Sequence, residues 1–377
     1  MAQRHRVTIR EVAAAAGVSA VTVSRVLNNR YDVAPETLRR VQEVIRQTGY
    51  APNMFARGLT QGRSQTIGVV AYGLDYFGST GAANAIERRA TEMGYSISLT
   101  LVPDPATGDV DHIFRDLSAR QVDGIIWAVP AIGNNRTWSQ TVSEALPAPL
   151  VVVGDGEPAL PSVNIDSIEI GRLATEHLLD GGARNVGIVT GPLCWRAAKQ
   201  RYEGWRRTLM ARGHVPSEHL VVEGDWTASS GEQALYRLLE QCPKVDAVFA
   251  SDDEMALGVL YAAHRLGVAV PQDLSVVGVD NVEESSHYWP PLTTVYQPVA
   301  EAGAMAVEKI VKLISGPGGS AQIKSPAPRM KSVRPALVVR DSSRPVAKTI
   351  EIPAGTASGP TSTVGSGISG SNGPVNR

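Results

Sequence analysis

Through most of this 377-residue chain, short apolar runs alternate with stretches of helical periodicity, and that alternation constrains its fold more than any other feature. Strand-like runs fall at 67–71, 96–102, 124–129, 150–154, 186–190, 247–251 and 276–280. Helical patterns occupy 81–93, 111–120, 168–179, 197–212, 231–241 and 255–266. Repeated β-α units close through right-handed crossovers into parallel sheets covered on both faces. A stretch of about 280 residues is too long for one ordinary core, so two lobes are expected. Ligands of open α/β sheets bind beyond the carboxyl ends of the strands, and a two-lobed clamp places its site between those ends.

The first 63 residues have a different character. They hold ten arginines, no lysine and four acids, and the whole chain nets −1, so a basic head sits on an acidic body. Such a split points to a polyanionic partner for the head alone, with a solvated charged face as the other reading. Thr8-Ile9-Arg10-Glu11 fits a capping box ahead of a short helix, and Gly17 suits a left-handed stop. Ser19 caps a second helix over 20–27, with Val23, Val26 and Leu27 facing inward. Only Gly17-Val18-Ser19 separates the two, the helix-turn-helix spacing that lays the second helix in a major groove. A third helix starts at Pro35, behind Ala34 rather than a hydroxyl cap, and ends at Gly49.

These residues resemble the headpiece of the LacI/GalR family. The match runs through Thr8-Ile9-Arg10-Glu11-Val12-Ala13, Ala16-Gly17-Val18-Ser19 and Thr22-Val23-Ser24-Arg25-Val26-Leu27-Asn28, and continues in Gly49-Tyr50-Ala51-Pro52-Asn53 and Ala56-Arg57-Gly58-Leu59. The resemblance implies DNA contacts at Thr8, Ser19, Ala20, Val21, Thr22, Ser24, Arg25 and Asn28. Ala20 and Val21 take the base-reading positions; being apolar, they suit thymine methyls rather than hydrogen bonds. Thr22 and Ser24 either read bases or grip phosphates. Asn53, Ala56, Arg57 and Leu59 fall in the family's hinge helix, where Leu59 matches the side chain that wedges into the minor groove. Gly58 departs from the usual hinge residue and weakens helix propensity by up to about 1 kcal/mol relative to alanine.

The body resembles the family's effector domain, itself similar to periplasmic sugar-binding proteins, and the Gly224-Asp225-Trp226 and Glu284-Ser285-Ser286 runs lie near the lactose-repressor branch. The resemblance implies effector contacts at Arg201, Trp226, Asp252 and Asp280, with Gln297 at the cleft edge. Paired hydroxyls suit planar bidentate groups, and the apolar face of a sugar ring suits an aromatic plate. Each residue also has a structural reading: Arg201 pairing with Glu203 or Glu176, Trp226 as core, Asp280 capping a turn. Of the two adjacent aspartates, Asp253 is expected to cap the following helix, leaving Asp252 for the ligand. Where many family members carry Asn-Pro-Phe, this chain has Tyr72 to Ser79; Tyr76 and Phe77 are expected to stack on a ring or to act as a lid or allosteric contact.

The expected fold is an all-α helix-turn-helix head (1–50), a hinge helix and linker (51–64), a two-lobed periplasmic-binding-protein-like α/β body with parallel sheets (65–341) and a disordered tail (342–377). The tail is rich in Gly, Ser, Thr and Pro and lacks a leucine heptad, so a homodimer on a pseudo-palindromic double-stranded operator is expected. No apolar run reaches membrane-spanning length, the N-terminus has no signal-peptide core, and a cytoplasmic protein is expected. No phosphate loop, nucleophile elbow or metal-spaced cluster appears, and Cys194 and Cys242 read as ordinary thiols; no enzyme activity, metal or cofactor is expected. The leading reading is a repressor gated by a sugar-like effector. The alternative is a corepressor-type regulator binding a purine or nucleoside.

Overall fold

The computed structural model describes residues 7–27, 33–50, 63–105, 110–136, 138, 148–154, 160–316 and 330–345. The head comprises α1 (Ile9–Ala16), α2 (Ala20–Leu27) and α3 (Pro35–Thr48). Both halves of the Thr8–Glu11 capping box are made: the Thr8 amide donates to Glu11 Oε2 at 2.7 Å, and the Glu11 amide donates to Thr8 Oγ1 at 3.3 Å. Gly17 ends α1 at φ 64°, a backbone region in which a Cβ would be strained. α3 starts on Pro35 with no side-chain cap, because Ala34 has nothing to offer the free amides. Val12, Val23 and Val41, one from each helix, are fully buried in the small core that fixes the three helices.

In the body, one lobe is built from β1 (Thr66–Ala71), α4 (Phe77–Glu92), β2 (Ser96–Leu101), α5 (Asp111–Ala119), β3 (Gly124–Ala128), β4 (Leu150–Val153) and β5 (Ser162–Ile165). The chain then crosses to α6 (Ser167–Asp180), β6 (Val186–Thr190), α7 (Arg196–Ala211), β7 (Val221–Glu223), α8 (Ala228–Gln241), β8 (Ala247–Ala250), α9 (Asp253–Leu266), β9 (Ser275–Asp280) and β10 (Thr293–Tyr296). It returns as α10 (Val299–Ser315) and β11 (Met330–Val333) and crosses a last time to β12 (Ala336–Val338).

The two six-stranded sheets run β11-β5-β4-β3-β1-β2 and β12-β10-β9-β8-β6-β7. Every pairing is parallel except β10 with β12. β1, β3, β6, β8 and β9 are buried almost throughout, as strands covered by helices on both faces must be. In each sheet the strand order reverses at one place, between β1 and β3 in the first lobe and between β6 and β8 in the second. By the crevice rule for open sheets, these reversals mark the ligand edge of each lobe.

Two boundaries shift from the sequence reading. The body begins before 65: the Ser64 and Gln65 amides both donate to the Asp123 carboxylate at 2.8 Å, and Arg63 Nη2 donates to the Ile314 carbonyl at 3.0 Å. The ordered body also outlasts 341. Ser342 and Ser343 are buried; Ser342 Oγ donates to the Val276 carbonyl at 2.7 Å and Ser343 Oγ meets His177 Nε2 at 2.7 Å. Polar serines hid that docking from a reading keyed to apolar periodicity. The remainder of the expected tail, 346–377, and most of the expected hinge, 51–62, lie outside the described residues.

Candidate functional site

In the head, Ser19 Oγ accepts the Thr22 amide at 3.1 Å and lies 2.9 Å from Thr22 Oγ1. This bond sets the start of α2. Val23 and Val26 anchor the helix inward, which turns Val21 and Arg25 outward. Val21 is 62% exposed, an unusual place for a branched apolar side chain. Ala20, Thr22 and Ser24 are half-buried beside it, so these predicted contact residues share one patch at the front of α2. Thr8 caps the neighbouring α1. Asn28, Asn53, Ala56, Arg57 and Leu59 lie outside the described residues.

The second site is a cavity of about 430 Å³ between the lobes, within the size range of small-molecule sites. All seven residues expected at the effector line it: Tyr76, Phe77, Arg201, Trp226, Asp252, Asp280 and Gln297. Each stands at or just past the carboxyl end of a strand, or on a helix that follows one.

Arg201 comes from α7, which packs so tightly on α6 that a Cβ on Gly171 would lie 2.2 Å from the Arg201 carbonyl. Its guanidinium is buried. One nitrogen donates to the Ser251 carbonyl, and Nη2 donates to Gln297 Oε1 at 2.6 Å. Gln297 Nε2 in turn donates to Asp280 Oδ1 at 3.0 Å, so the amide bridges cation and carboxylate across 17 residues of sequence. The surface alternatives for Arg201 do not occur: Glu203 is taken by Arg206 and Arg207, and Glu176 by Arg172 and Arg212.

The cap assignment is corrected. Asp252, not Asp253, caps α9, with Asp252 Oδ1 accepting the Met255 amide at 2.7 Å. Asp253 is the first helical residue and fully buried; it accepts from Thr294 Oγ1 at 2.6 Å and from the Val282 amide at 3.0 Å. The extended backbone of Asp252 (φ −151°, ψ 172°) is what makes it the cap, and adjacent aspartates look alike until that geometry is known. Asp252 still lines the cavity, so cap and wall are the same residue.

Asp280 and Asn281 both adopt positive φ, 111° and 57°. Such strain in non-glycine residues persists only where the surroundings hold it. Here Arg340 Nη2 donates to Asn281 Oδ1 at 2.7 Å, and Asp253 grips the next amide, that of Val282. Burial raises the Asp280 carboxyl well above the usual carboxylate range, against the pull of Arg201. Burial likewise lifts Asp252 to about 7 and Asp253 to about 6, each opposed by the hydrogen bonds it accepts. Desolvation pushes Arg201 down while Asp280, Asp252 and Asp253 pull it up; a guanidinium nevertheless stays charged.

Trp226 also sits at positive φ, 70°, over Gly191, where any Cβ would lie 2.1 Å from the indole. Arg201 Cζ lies 5.8 Å from its ring centroid. Trp226 packs on the core of its lobe as well as lining the cavity, so both of its sequence readings are realised.

Sequence reasoning missed Trp195, Arg136 and Asn164, which also line the cavity. Trp195 follows the Gly191-Pro192 turn beyond β6, and the strand-end rule itself was the signal that could have found it. Its neighbours join the lobes directly: the Arg196 amide donates to the Ala131 carbonyl at 2.9 Å and the Gly133 amide to the Cys194 carbonyl at 2.9 Å. Among the described residues no group of three or more metal-binding side chains clusters, and no helix is long and apolar enough to cross a membrane.

Fold and cleft together define a class, a helix-turn-helix protein carrying a two-lobed small-molecule pocket. Known proteins place the chain within it. Residues 8–53 match the description "Bacterial regulatory proteins, lacI family", and 175–343 match a periplasmic binding protein-like domain. Catabolite control protein A of Priestia megaterium is 36% identical over 82% of this chain and 93% of its own length. The transcriptional regulator CelR of Thermobifida fusca is 34% identical over 84% of this chain and 94% of its own. The HTH-type transcriptional repressor PurR of Pasteurella multocida is 32% identical over 89% of this chain and 98% of its own length. Among solved structures, the Lac repressor dimer bound to operator and the anti-inducer ONPF aligns with a TM-score of 0.77, 29% identity and coverage of 90% of this chain and 99% of that one. A CelR–cellobiose complex aligns with a TM-score of 0.65, 31% identity and coverage of 90% and 100%. The chain belongs to the lacI family of bacterial regulatory proteins and is a DNA-binding transcriptional repressor. The family consists of regulators rather than enzymes.

Proposed function

We propose that this repressor holds a sugar or sugar derivative between its lobes and that the bound ligand sets its affinity for a pseudo-palindromic operator. The observation that carries this reading is the chemistry of the cavity floor. The Arg201 guanidinium and the carboxylates of Asp252 and Asp280, residues only 4%, 8% and 7% exposed, line it together with the Trp226 indole. Buried charged groups suit a ligand that pairs with them, and the hydroxyls of a sugar accept from the guanidinium. The same hydroxyls donate to the carboxylates, and the apolar ring face meets Trp226.

The DNA half of the proposal follows the family pattern. Two heads of a homodimer read two half-sites, with Ala20 and Val21 against thymine methyls and Thr22, Ser24, Arg25 and Asn28 on bases or phosphates. Asn53, Ala56, Arg57 and Leu59 form the hinge element that enters the minor groove. Movement of the lobes alters the spacing of the two hinges, coupling ligand to operator by about 1–3 kcal/mol in both directions.

A purine or nucleoside is the second reading. The aromatic pair Tyr76 and Trp195, which lines the cavity with ring centroids 5.2 Å apart, favours it, as does similarity to repressors named PurR. A thermal-shift screen of sugars against nucleobases and nucleosides, followed by operator gel shifts with and without the hit, tests both. A sugar that raises Tm and changes operator affinity is the expected result. A response to nucleobases alone overturns the sugar reading.

A further inference from the structure

The chain enters the body at the amino end of β1, the end of that strand remote from the cleft; its 6 residues put about 20 Å between the two ends. Gln65, the residue before β1, has φ 54°, a left-handed value that a side chain disfavours. Its backbone is tied on both sides. The Gln65 carbonyl accepts the Ser96 amide at 2.9 Å, and the Gln65 amide donates to Asp123 Oδ2 at 2.8 Å. Asp123 Oδ1 takes the Ser64 amide at 2.8 Å and the Ser64 hydroxyl at 3.2 Å. One carboxylate thus grips two successive amides. Asp123 is itself held to β1, its amide donating to the Thr66 carbonyl at 2.8 Å.

Arg63 adds a third tie. Its Nη2 donates to the Ile314 carbonyl at 3.0 Å. That carbonyl lies in the last turn of α10, where backbone acceptors have no partner within the helix and the helix dipole favours a cation. α10 has no room to yield there: a Cβ on Gly124 would lie 2.7 Å from Ile310 and 3.0 Å from Ile314. Residues 63, 64 and 65 are therefore fastened to the end of α10, the turn before β3 and the start of β2. Chain leading into a domain ordinarily frays. Strain at a non-glycine residue such as Gln65 persists only where its surroundings over-determine it, and such residues collect where conformation serves a function.

Residues 51–62 connect this point to the head. A chain of that length spans at most about 40 Å, and even at half that span a swing of about 10° at its root moves the far end by about 3.5 Å, one base-pair step. Two reading helices that must meet half-sites at one separation need a root whose direction is fixed. We infer that Asp123 and Arg63 are positioning residues for DNA recognition: they set the direction in which the chain leaves the body, and with it the half-site spacing that the paired heads accept. The inference rests on the paired-head reading of the operator and adds the part of the body that holds the heads in register.

Gel shifts with the full-length protein test it. The probes are a palindromic duplex selected by that protein from random DNA, the same duplex with one base pair added or removed between its half-sites, and a single half-site. The parent should prefer the selected spacing at least about tenfold, a fraction of what two linked heads gain over one. Asp123→Ala and Arg63→Ala should each lower that preference at least about threefold, by losing affinity for the selected spacing, and leave half-site binding unaltered. Arg63→Lys, which keeps a cationic donor, should retain most of it. Arg63 is exposed, so Arg63→Ala carries the test where Asp123→Ala lowers the Tm. Folded variants that keep the full spacing preference overturn the inference and leave the paired-head reading standing. So does an equal loss of affinity on every duplex, the half-site included, which marks the two residues as supports of the body only. A selection that yields no palindrome, or a parent indifferent to spacing, overturns both.

Discussion

At the front of the reading helix Val21 stands 62% exposed, whereas in the cleft Asp280 is 7% exposed and Asp252 8%. One region sends an apolar side chain into water, and the other takes carboxylates out of it. Each is costly in the free protein, and each makes sense only against a partner: a thymine methyl for the valine, a hydroxylated ligand for the cleft carboxylates. The two regions also differ in how they hold their exceptions. The head relies on a small valine core and on caps made by neighbouring residues. The cleft relies on residues far apart in sequence, Arg201 with Gln297 and Asn281 with Arg340, so its geometry depends on how the lobes are assembled.

That contrast can be broken from the cleft side first. Arg201→Ala removes the guanidinium that Gln297 bridges to Asp280 and leaves both groups without that partner. Effector affinity should fall at least about 100-fold by titration calorimetry, in line with the cost of unpairing a buried charge, while operator binding without effector persists. If operator binding fails together with effector binding, the two regions are not separable in this way.

Asp253→Ala should have the next largest effect. It leaves the Val282 amide and Thr294 hydroxyl unpaired and frees the strained Asp280-Asn281 turn. A loss of about 2–3 kcal/mol is expected in urea unfolding, with weaker effector binding. An unchanged effector affinity would show that this aspartate supports the lobe but not the turn.

On the head side, Val21→Ala should cost about 1 kcal/mol, roughly fivefold in operator affinity, and only on operators with thymine at the contacted step. Arg25→Ala should instead weaken all sequences alike and lower the salt slope by about one. Gel shifts on matched and base-swapped duplexes distinguish the two behaviours.

The smallest expected effect sharpens the electrostatic half of the contrast. Burial holds the Asp252 carboxyl at about 7, so the neutral form favours the fold. Its contribution to stability is full below the ordinary carboxylate range and is lost as pH climbs through about 7. Effector-free protein should therefore melt higher at pH 5.5 than at pH 8, and Asp252→Asn should reduce that slope; Asp253, lifted to about 6, and Asp280, raised well above the carboxylate range, leave a residual slope of the same sign. The ionised carboxyl accepts from sugar hydroxyls more strongly than the neutral one, so effector affinity should rise over the same interval in the parent protein. A slope that survives Asp252→Asn undiminished assigns the titration elsewhere.

Much of this was legible in the residues. Local rules carry the head: the Thr8–Glu11 box, the Gly17 stop and the Ser19 cap each involve residues four apart or fewer, and each is made. The long strands were legible because burial on both faces leaves an unbroken apolar run. β5, β7, β10, β11 and β12 were not, being three or four residues long and close to the ends of their sheets. α10 was passed over although Ala302, Ala306, Ile310 and Ile314 form its buried stripe; it packs on α4, more than two hundred residues earlier.

What the sequence determined by itself is what short-range chemistry governs: which segments are helix or strand, that strands joined through helices pair in parallel, that the front of α2 faces outward, and that the residues after each strand gather at one edge. Only the tertiary structure decided that Asp252 rather than Asp253 takes the cap, that Trp195 joins the cleft, and that Ser342 and Ser343 belong to the core. Each of these depends on a backbone angle or a hydrogen bond supplied by a distant segment. Side-chain type is written locally, but the partner that satisfies a buried polar group arrives only when the lobes close around it.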